Sequence, residues 1–449
     1  MSTIEKHDMT QGKILLPLVS FTIPLVLGNL FQLTYNAADS VIVGKYVGEQ
    51  ALAAVGTSTP IMNIAILLIS GMCMGASVLM SSQYGAKDYD TLSRQISTTM
   101  LAGCGFSVVF SLLMLLLANP VLRLIRVPET AIPEAAAYLR IIFMGLIFTF
   151  MYNFLANTMR ALGDSKTPLY FLVTSAFLNI FGDLFFVVVL RWGVAGSAIA
   201  TVCSEGLCCL LCGIYIKKKI PLLCLGKKWW GFDKSLLGKT VSYGSTSAMQ
   251  QVCLQLGKLI IQSVVNTQGV AVMAAFTAVN RVDDFAYTPQ QNIGHAMTTF
   301  LAQNKGAGHK ERMKKGFQTG LLIELVYSIG LFCVIWGLAP QIMTLFAEDG
   351  DAQVVSLGIS YLHLISWMYI LPGLTNGVQG FFRGIGDLKV TLYSTFMNMF
   401  GRVVAVFVMI RLLQMEFASL AWANMVGWIV MLLFEVPLLV KSMRNGECG

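Results

Sequence analysis

Long runs without a single charge recur along this chain, and they fix the solvent in which most of it can fold. No Asp, Glu, Lys or Arg occurs between Lys13 and Asp39, Glu49 and Lys87, Arg94 and Arg123, or Arg140 and Arg160. The second half does the same from Lys258 to Arg281, Asp284 to Lys305, Glu324 to Glu348 and Asp351 to Arg383. About 20 apolar residues cross a bilayer as one helix. Only 12% of the 449 residues are charged, against roughly a quarter in soluble domains. That is too little to coat the two or three soluble domains expected at this length. Disorder, a collagen-like chain and a nucleic-acid binder are excluded on the same ground. A polytopic all-α membrane protein is the expectation.

Other candidate spans carry one charge or more: 166–190, 194–216, 236–266, 388–411 and 415–440. Twelve spans result, starting near residues 14, 53, 94, 132, 166, 194, 236, 271, 315, 355, 388 and 415. The first run is too long for a signal-peptide core and no small-residue cleavage site follows it, so it is read as span 1. Alternate loops hold 22 Lys and Arg on one side and five on the other. The basic side is the cytoplasmic one, which puts both termini in the cytoplasm of a cell that carries the chain in its plasma membrane. The net charge of +8 thus reports loop placement, and the bilayer is the partner it implies. Several of the ten cysteines lie inside apolar runs, including Cys73, Cys104, Cys203, Cys253 and Cys333. No disulfide framework is expected, and Cys209-x-x-Cys212 reads as packing.

The chain also repeats itself. RALGDSK at 160–166 matches RGIGDLK at 383–389, a shift of 223. Val194–Ala198 lines up with Phe417–Ala421 at the same shift. QYGAK at 83–87 resembles QNKGA at 303–307, and Gly48 and Ala53 meet Gly269 and Ala274 at a shift of 221. The basic segment 217–239 cuts the chain between the repeats. The expected organisation is an N-terminal lobe (1–216, spans 1–6), a cytoplasmic linker (217–239) and a C-terminal lobe (240–449, spans 7–12). Six spans per lobe start both on one face, which gives a parallel repeat about an axis along the membrane normal. Transporters of that build bind substrate near mid-membrane. No metalloprotease, nucleophile-elbow or phosphate-loop motif is present, so no enzyme is expected.

Ionisable groups inside spans are costly and mark function first. Asn153 and Asn157 (span 4), Asn179 and Asp183 (span 5), and Thr201 and Glu205 (span 6) are each spaced i, i+4, which puts each pair on one helix face. With Asp39 on span 1 they can bind a proton or small cation. Helix-gluing hydrogen bonds are the alternative. The repeat supplies a control: Asp39, Asn179, Asp183 and Glu205 map to Ile260, Arg402, Val406 and Trp428. A purely architectural network should recur in both halves, so an ion site in the first lobe alone is expected. In the second half, Lys258, Arg281, Asp283 and Asp284 can pair with one another or meet substrate. Gln251 and Gln255 share a face of span 7 and can line a cavity with them. His295 and His363 read as bundle hydrogen-bonders. Pro17 and Pro24 interrupt span 1, and Pro372 interrupts span 10. Pro24 stands about 22 Å from Asp39 along a helix, so either a static kink or a hinge coupled to Asp39 is expected.

IPLVLGNLFQLTYNAADSVIVGKYVGEQALAAVG at 23–56, QYGAK at 83–87, RALGDSKTP at 160–168, QNKGAG at 303–308 and RGIGDLK at 383–389 resemble the multidrug and toxic compound extrusion (MATE) transporters, in their DinF-like branch. The resemblance covers essentially the whole chain. It implies a V-shaped bundle of two six-helix lobes and export of organic, often cationic amphipathic compounds in exchange for H+ or Na+. No cofactor is implied, and one chain suffices as a monomer. The ion ligands it implies are Asp39, Asn153 or Asn157, Asn179, Asp183 and Thr201, with Na+ held at Asp39, Asn179, Asp183 and Thr201 if sodium is the ion. It also implies a bending first helix, which fits Pro24. Another branch uses acids on spans 7 and 10. Here span 7 offers Gln255 and Lys258 and span 10 no acid, so that type of second-lobe site is not expected. A lipid-linked precursor flippase of the wider superfamily is the alternative.

Overall fold

In hydrocarbon each backbone N–H and C=O must bond within its own segment, and among the described residues every regular element is a helix. The computed structural model describes residues 8–125, 127–129, 131–220, 231–346, 352–413 and 417–444, without the side chains of 36–38, 40, 49–53, 411 and 412. The helices are α1 (Leu15–Tyr46), α2 (Glu49–Gly85), α3 (Tyr89–Leu124), α4 (Ile132–Met144), α5 (Leu146–Ala161), α6 (Lys166–Asp183) and α7 (Gly193–Lys219). They continue as α8 (Lys234–Val265), α9 (Val270–Gly306), α10 (Lys310–Phe346), α11 (Ala352–Ser366), α12 (Ile370–Ile385), α13 (Leu388–Phe407) and α14 (Ser419–Arg444).

The twelve expected spans account for all fourteen, because two spans are broken. The fourth bends by 47° between α4 and α5 at Gly145, where an added Cβ would lie 2.5 Å from Val202 on α7. The tenth breaks between α11 and α12 at a 3₁₀ turn, Trp367–Tyr369. Pro372 has no N–H for the Met368 carbonyl, which is reason enough for that break. Among the described residues, nine helices, or ten with the bent α4–α5 pair, are long and apolar enough to cross a membrane by hydropathy alone. The two that fall short, α8 and α9, carry more of the polar residues. The expected linker is shorter than 217–239: residues 217–219 finish α7, 234–239 begin α8, and 221–230 lie outside the described residues.

The sequence repeat is also a repeat of backbone events. Gly48 and Gly269 take φ of 114° and 101° before α2 and α9. Gly163 and Gly386, the glycines of the two R-x-x-G-D-x-K motifs, take 89° and 85° at the α5–α6 and α12–α13 corners. Left-handed backbone of this kind favours glycine. Lys87 (φ 57°) and Gly308 (φ 74°) correspond too, which registers Gln83 with Asn304 at a shift of 221. The breaks at Gly145 and Trp367–Tyr369 correspond, as do π-helical stretches at Leu184–Val189 and Val408–Leu412.

Compact packing divides the chain into two units, one mainly Ile23–Ala248 and one comprising Met9–Thr22 and Met249–Gly449. The division runs through α1 beside Pro24 and through α8. α1 is continuous, with Pro17 in its first turn, where no N–H is needed, and Pro24 inside. Pro17 therefore does not interrupt the span, contrary to expectation. In the first unit α2 meets the start of α8 through small residues. A Cβ on Gly71 would lie 2.6 Å from the Ala248 Cα, and one on Gly75 2.4 Å from the Tyr243 carbonyl. In the second unit α9 and α12 approach as closely, with a Cβ on Gly380 2.7 Å from the Gly294 carbonyl. Small residues let membrane helices pack where burial alone gives no drive.

Candidate functional site

The first unit gathers its polar groups where α1, α5, α6 and α7 meet. Asp183 is the last residue of α6, at the point where the helix loosens into the π stretch. Such distortions are frequent at functional sites. Asp183 is fully buried, and neither carboxylate oxygen receives a hydrogen bond. The Asp39 carboxyl on α1 stands within hydrogen-bonding reach of it. Asp39 Oδ1 accepts from Ser197 Oγ at 2.8 Å. Asn179, one turn before Asp183, donates through Nδ2 to Thr201 Oγ1 at 3.2 Å, and Thr201 donates to the Ser197 carbonyl at 3.1 Å. Asn179 Oδ1 is buried without a donor.

These contacts have one chemical sense. Buried acceptors are normally satisfied, and here three oxygens, two of Asp183 and one of Asn179, have no donor, while Asp183 stands beside a second carboxyl with no cationic side chain among its partners. One proton, or one small hard cation, supplies what the protein does not. Carboxylate, amide and hydroxyl oxygens are the donor types hard cations take. Three or more His, Cys, Asp or Glu do not cluster in metal-binding fashion among the described residues. The oxygen set relies on Asn, Ser and Thr instead.

The structure brings Asp39, Asn179, Asp183 and Thr201 together and adds Ser197, which the sequence reading did not single out. Ser197, Thr201 and Glu205 form one stripe on α7, so its signal was the i−4 spacing from Thr201. Asn153 and Asn157 are engaged along α5: their Nδ2 atoms donate to the carbonyls of Thr149 and Asn153, both at 2.9 Å. Thr149 also donates to Glu205 Oε2 at 2.5 Å, so Glu205 already has a partner. Tyr35 and Tyr138 lie within electrostatic range of Asp39.

The second unit is arranged differently. Asp283 is buried and accepts from Tyr361 at 3.0 Å and from the Tyr369 hydroxyl, while Asn424 donates to Tyr361 at 2.9 Å. Arg402 is in electrostatic range of Asp283. Asp284 is exposed and pairs with Lys258 at 3.5 Å, not with Arg281, which is also exposed. Gln251 and Gln255 are half-buried. It is Gln250, one position earlier, that enters a network, donating to Thr395 at 2.9 Å and Gln379 at 3.3 Å.

The chain matches the MatE family model at residues 24–185 and again at 247–409, which are the two repeats. It is 32% identical to the probable multidrug resistance protein YpnP of Bacillus subtilis, covering 87% of this chain and 86% of that one. It is 23% identical to the probable multidrug resistance protein NorM of Thermotoga maritima, over 92% and 89% of the two chains. Among solved structures it superposes on an outward-facing multidrug resistance MATE family transporter of the MOP superfamily with a TM-score of 0.92, at 21% identity and 99% coverage of both. A MOP superfamily transporter from Pyrococcus furiosus, described as having a binding pocket of reverse polarity, gives 0.90 at 22% identity and the same coverage.

Proposed function

The chain belongs to the MatE family, and from that premise we propose that it is an antiporter whose coupling ion, H+ or Na+, binds at Asp39 and Asp183 in the first lobe. It is a multi-pass membrane protein and a compound-efflux transporter, not an enzyme, and it takes a small-molecule substrate. The observation that carries the coupling reading is the set of unsatisfied buried oxygens on Asp183 and Asn179 beside the Asp39 carboxyl. Asn179, Thr201 and Ser197 hold those groups in place, with Asn153 and Asn157 on the neighbouring α5. An incoming ion relieves this buried charge, and releasing it to the other side completes the exchange. The substrate is read as an organic, often cationic amphipathic compound. Exposed Asp284, with the half-buried Gln251 and Gln255, is better placed to meet it than Asp283, whose oxygens are taken by tyrosines. Pro24 is read as the hinge of α1, which supports alternating access of lobes 1–216 and 240–449. The protein works as a monomer in the plasma membrane, with both termini cytoplasmic.

A flippase for lipid-linked pyrophosphates needs several free cations. Of the three candidates, Lys258 is paired with Asp284 and Arg402 lies against Gly427 in range of Asp283; exposed Arg281 alone is short of several, which favours the efflux reading. The test is export of a cationic dye from cells carrying wild type or Asp39→Asn at matched surface expression, under a proton gradient or a sodium gradient alone. The reading expects export by wild type under one gradient, which names the ion, and none by the variant. Equal export by both removes Asp39 from coupling.

A further inference from the structure

The second unit holds two buried carboxyls that nothing above uses, Glu324 and Glu435, and only Glu435 has a guanidinium, that of Arg383, in electrostatic range. Glu324 lies in mid-α10, 1% exposed, and neither of its carboxylate oxygens has a hydrogen-bond partner. No charged side chain contributes to its electrostatic surroundings. Beside it stands Gln290 of α9, 0% exposed, whose Nε2 donates to Ser328 Oγ at 3.1 Å and to the Tyr369 carbonyl at 2.8 Å. Gln290 Oε1 is buried without a donor. The three side chains converge on the bare face of Gly373. A Cβ added there would sit 2.9 Å from Ser328 Oγ, 3.2 Å from Gln290 Nε2 and 3.4 Å from Glu324 Oε2.

Packing does not require an acid at this position, as the other repeat shows. At the shifts of 221 and 223, Glu324 and Gly373 correspond to Gly103 and Phe150. There the large residue comes from the other partner: the Phe150 ring covers Gly103, 2.0 Å from where its Cβ would be. One repeat fills the volume with an apolar ring and the other with a carboxyl. An isolated buried carboxylate costs several kcal/mol even after relaxation, and a hydrogen-bond donor on the acid is what the orphaned oxygens lack.

We propose that Glu324, with Gln290 and Ser328 above Gly373, forms a second proton-binding site in the C-terminal unit. The proton makes an O–H bond on one carboxylate oxygen and leaves a neutral acid that donates within the cluster. The site touches the broken tenth span directly, because Gln290 and Ser328 both bond the carbonyl of Tyr369, the last residue of the 3₁₀ turn. The same residue's hydroxyl holds Asp283. Occupancy at Glu324 therefore bears on the break between α11 and α12. Of the other titratable groups on the packed elements, Tyr327 bonds the Ala286 carbonyl, Tyr361 and Tyr369 bond Asp283, His363 bonds the Trp336 carbonyl and Tyr287 packs on Tyr369 and Trp428, while His295 stands half-buried on α9 five residues after Gln290. Arg383 lies by Gly294 in range of Glu435.

Infrared difference spectroscopy of the purified, lipid-embedded full chain tests this without transport and without the first-lobe site. The expected result at neutral pH is a protonated-carboxylic C=O band that survives Asp39→Asn, is lost in Glu324→Gln and shifts in Glu324→Asp. Should the Gln variant fail to fold, the wild type and the Asp variant still decide. Gly373→Ala should shift the band, and Gly330→Ala, whose Cβ would meet nothing within 4 Å, should not. A band set untouched by both Glu324 variants overturns the proposal. So does a band that vanishes on adding sodium chloride but not choline chloride, since the ion would then be sodium.

Discussion

The two halves of this protein share a backbone and differ in what they do with it. Tyr138 and Tyr361 occupy the same place in the repeat, as do Met62 and Asp283. In the first unit the tyrosine hydroxyl reaches the Met62 sulfur at 3.8 Å; in the second it binds the Asp283 carboxylate at 3.0 Å. One residue further into the site the pattern reverses. Asn179 and Asp183 of the first unit stand where the second has Arg402 and Val406. Asp283 of the second unit is thus enclosed by two hydroxyls, with a guanidinium in range. Asp183 of the first is left with both oxygens unanswered. Duplicated architecture keeps the breaks, the π stretches and the left-handed glycines, because these are what the helices need to pack. The polar residues are free to diverge, and the coupling ion proposed above is the partner that Asp183 lacks.

The comparison breaks most readily at the acids. Asp183→Asn should abolish exchange while leaving the protein folded, since the change removes an unpaired charge and no hydrogen bond. Export assays with matched expression check this, and export at the wild-type level would dissolve the distinction between the units. Asp283→Asn should do the converse. It weakens two hydroxyl-to-carboxylate bonds, each worth about 1.5–3 kcal/mol, so the thermal midpoint should fall while the folded fraction still transports.

Much of this contrast was legible in the chain. Charge-free runs, with five further apolar stretches that carry a charge or more, place the start of every span to within about five residues. The i, i+4 spacing of Asn179 with Asp183 puts on one helix face the two side chains that meet Thr201 and Asp39 in the structure. What escaped had physical reasons. The bend at Gly145 leaves no trace in hydropathy, because the apolar run passes straight through it. Ser197 sits among Gly and Ala, where a small residue reads as packing. Gln250 enters the network that Gln251 misses, one position being about 100° of helix rotation, which spacing alone does not orient. Glu324 has only Tyr327 and Ser328 as polar residues at helical spacing, so its neighbours on α9 and α12 come only from the fold.

Two smaller effects sharpen the packing side of the comparison. Gly380→Ala places a methyl against the Gly294 carbonyl and should cost about 1–3 kcal/mol. Gly105→Ala in the first unit meets nothing within 4 Å and should be neutral or gain up to about 1 kcal/mol of helix propensity. Detergent-solubilised thermal unfolding separates the two. The smallest effect lies at the start of α3. Asp88 Oδ1 accepts from the Thr91 amide at 3.1 Å, and hydrogen bonds from the Thr91 side chain and backbone hold the Asp88 carboxyl below its ordinary range. The repeat places His309 there, with no such cap. Asp88→Ala should cost about 1 kcal/mol at neutral pH. A lowered folded pKa contributes stability above the ordinary carboxylate value and loses it as pH falls through the folded one, so the difference should close in acid.

On the proposed function, the coupling ion binds in the first unit and is exchanged there. Purified protein in sealed liposomes, loaded with a pH dye and then exposed to a cationic substrate, tests it most directly, with an internal sodium indicator run in parallel. Wild type should move one of the two ions in the direction opposite to substrate, and Asp39→Asn and Asp183→Asn should each move neither. Ion movement that persists in both variants, or that stops only when Asp283 is changed, would contradict the account.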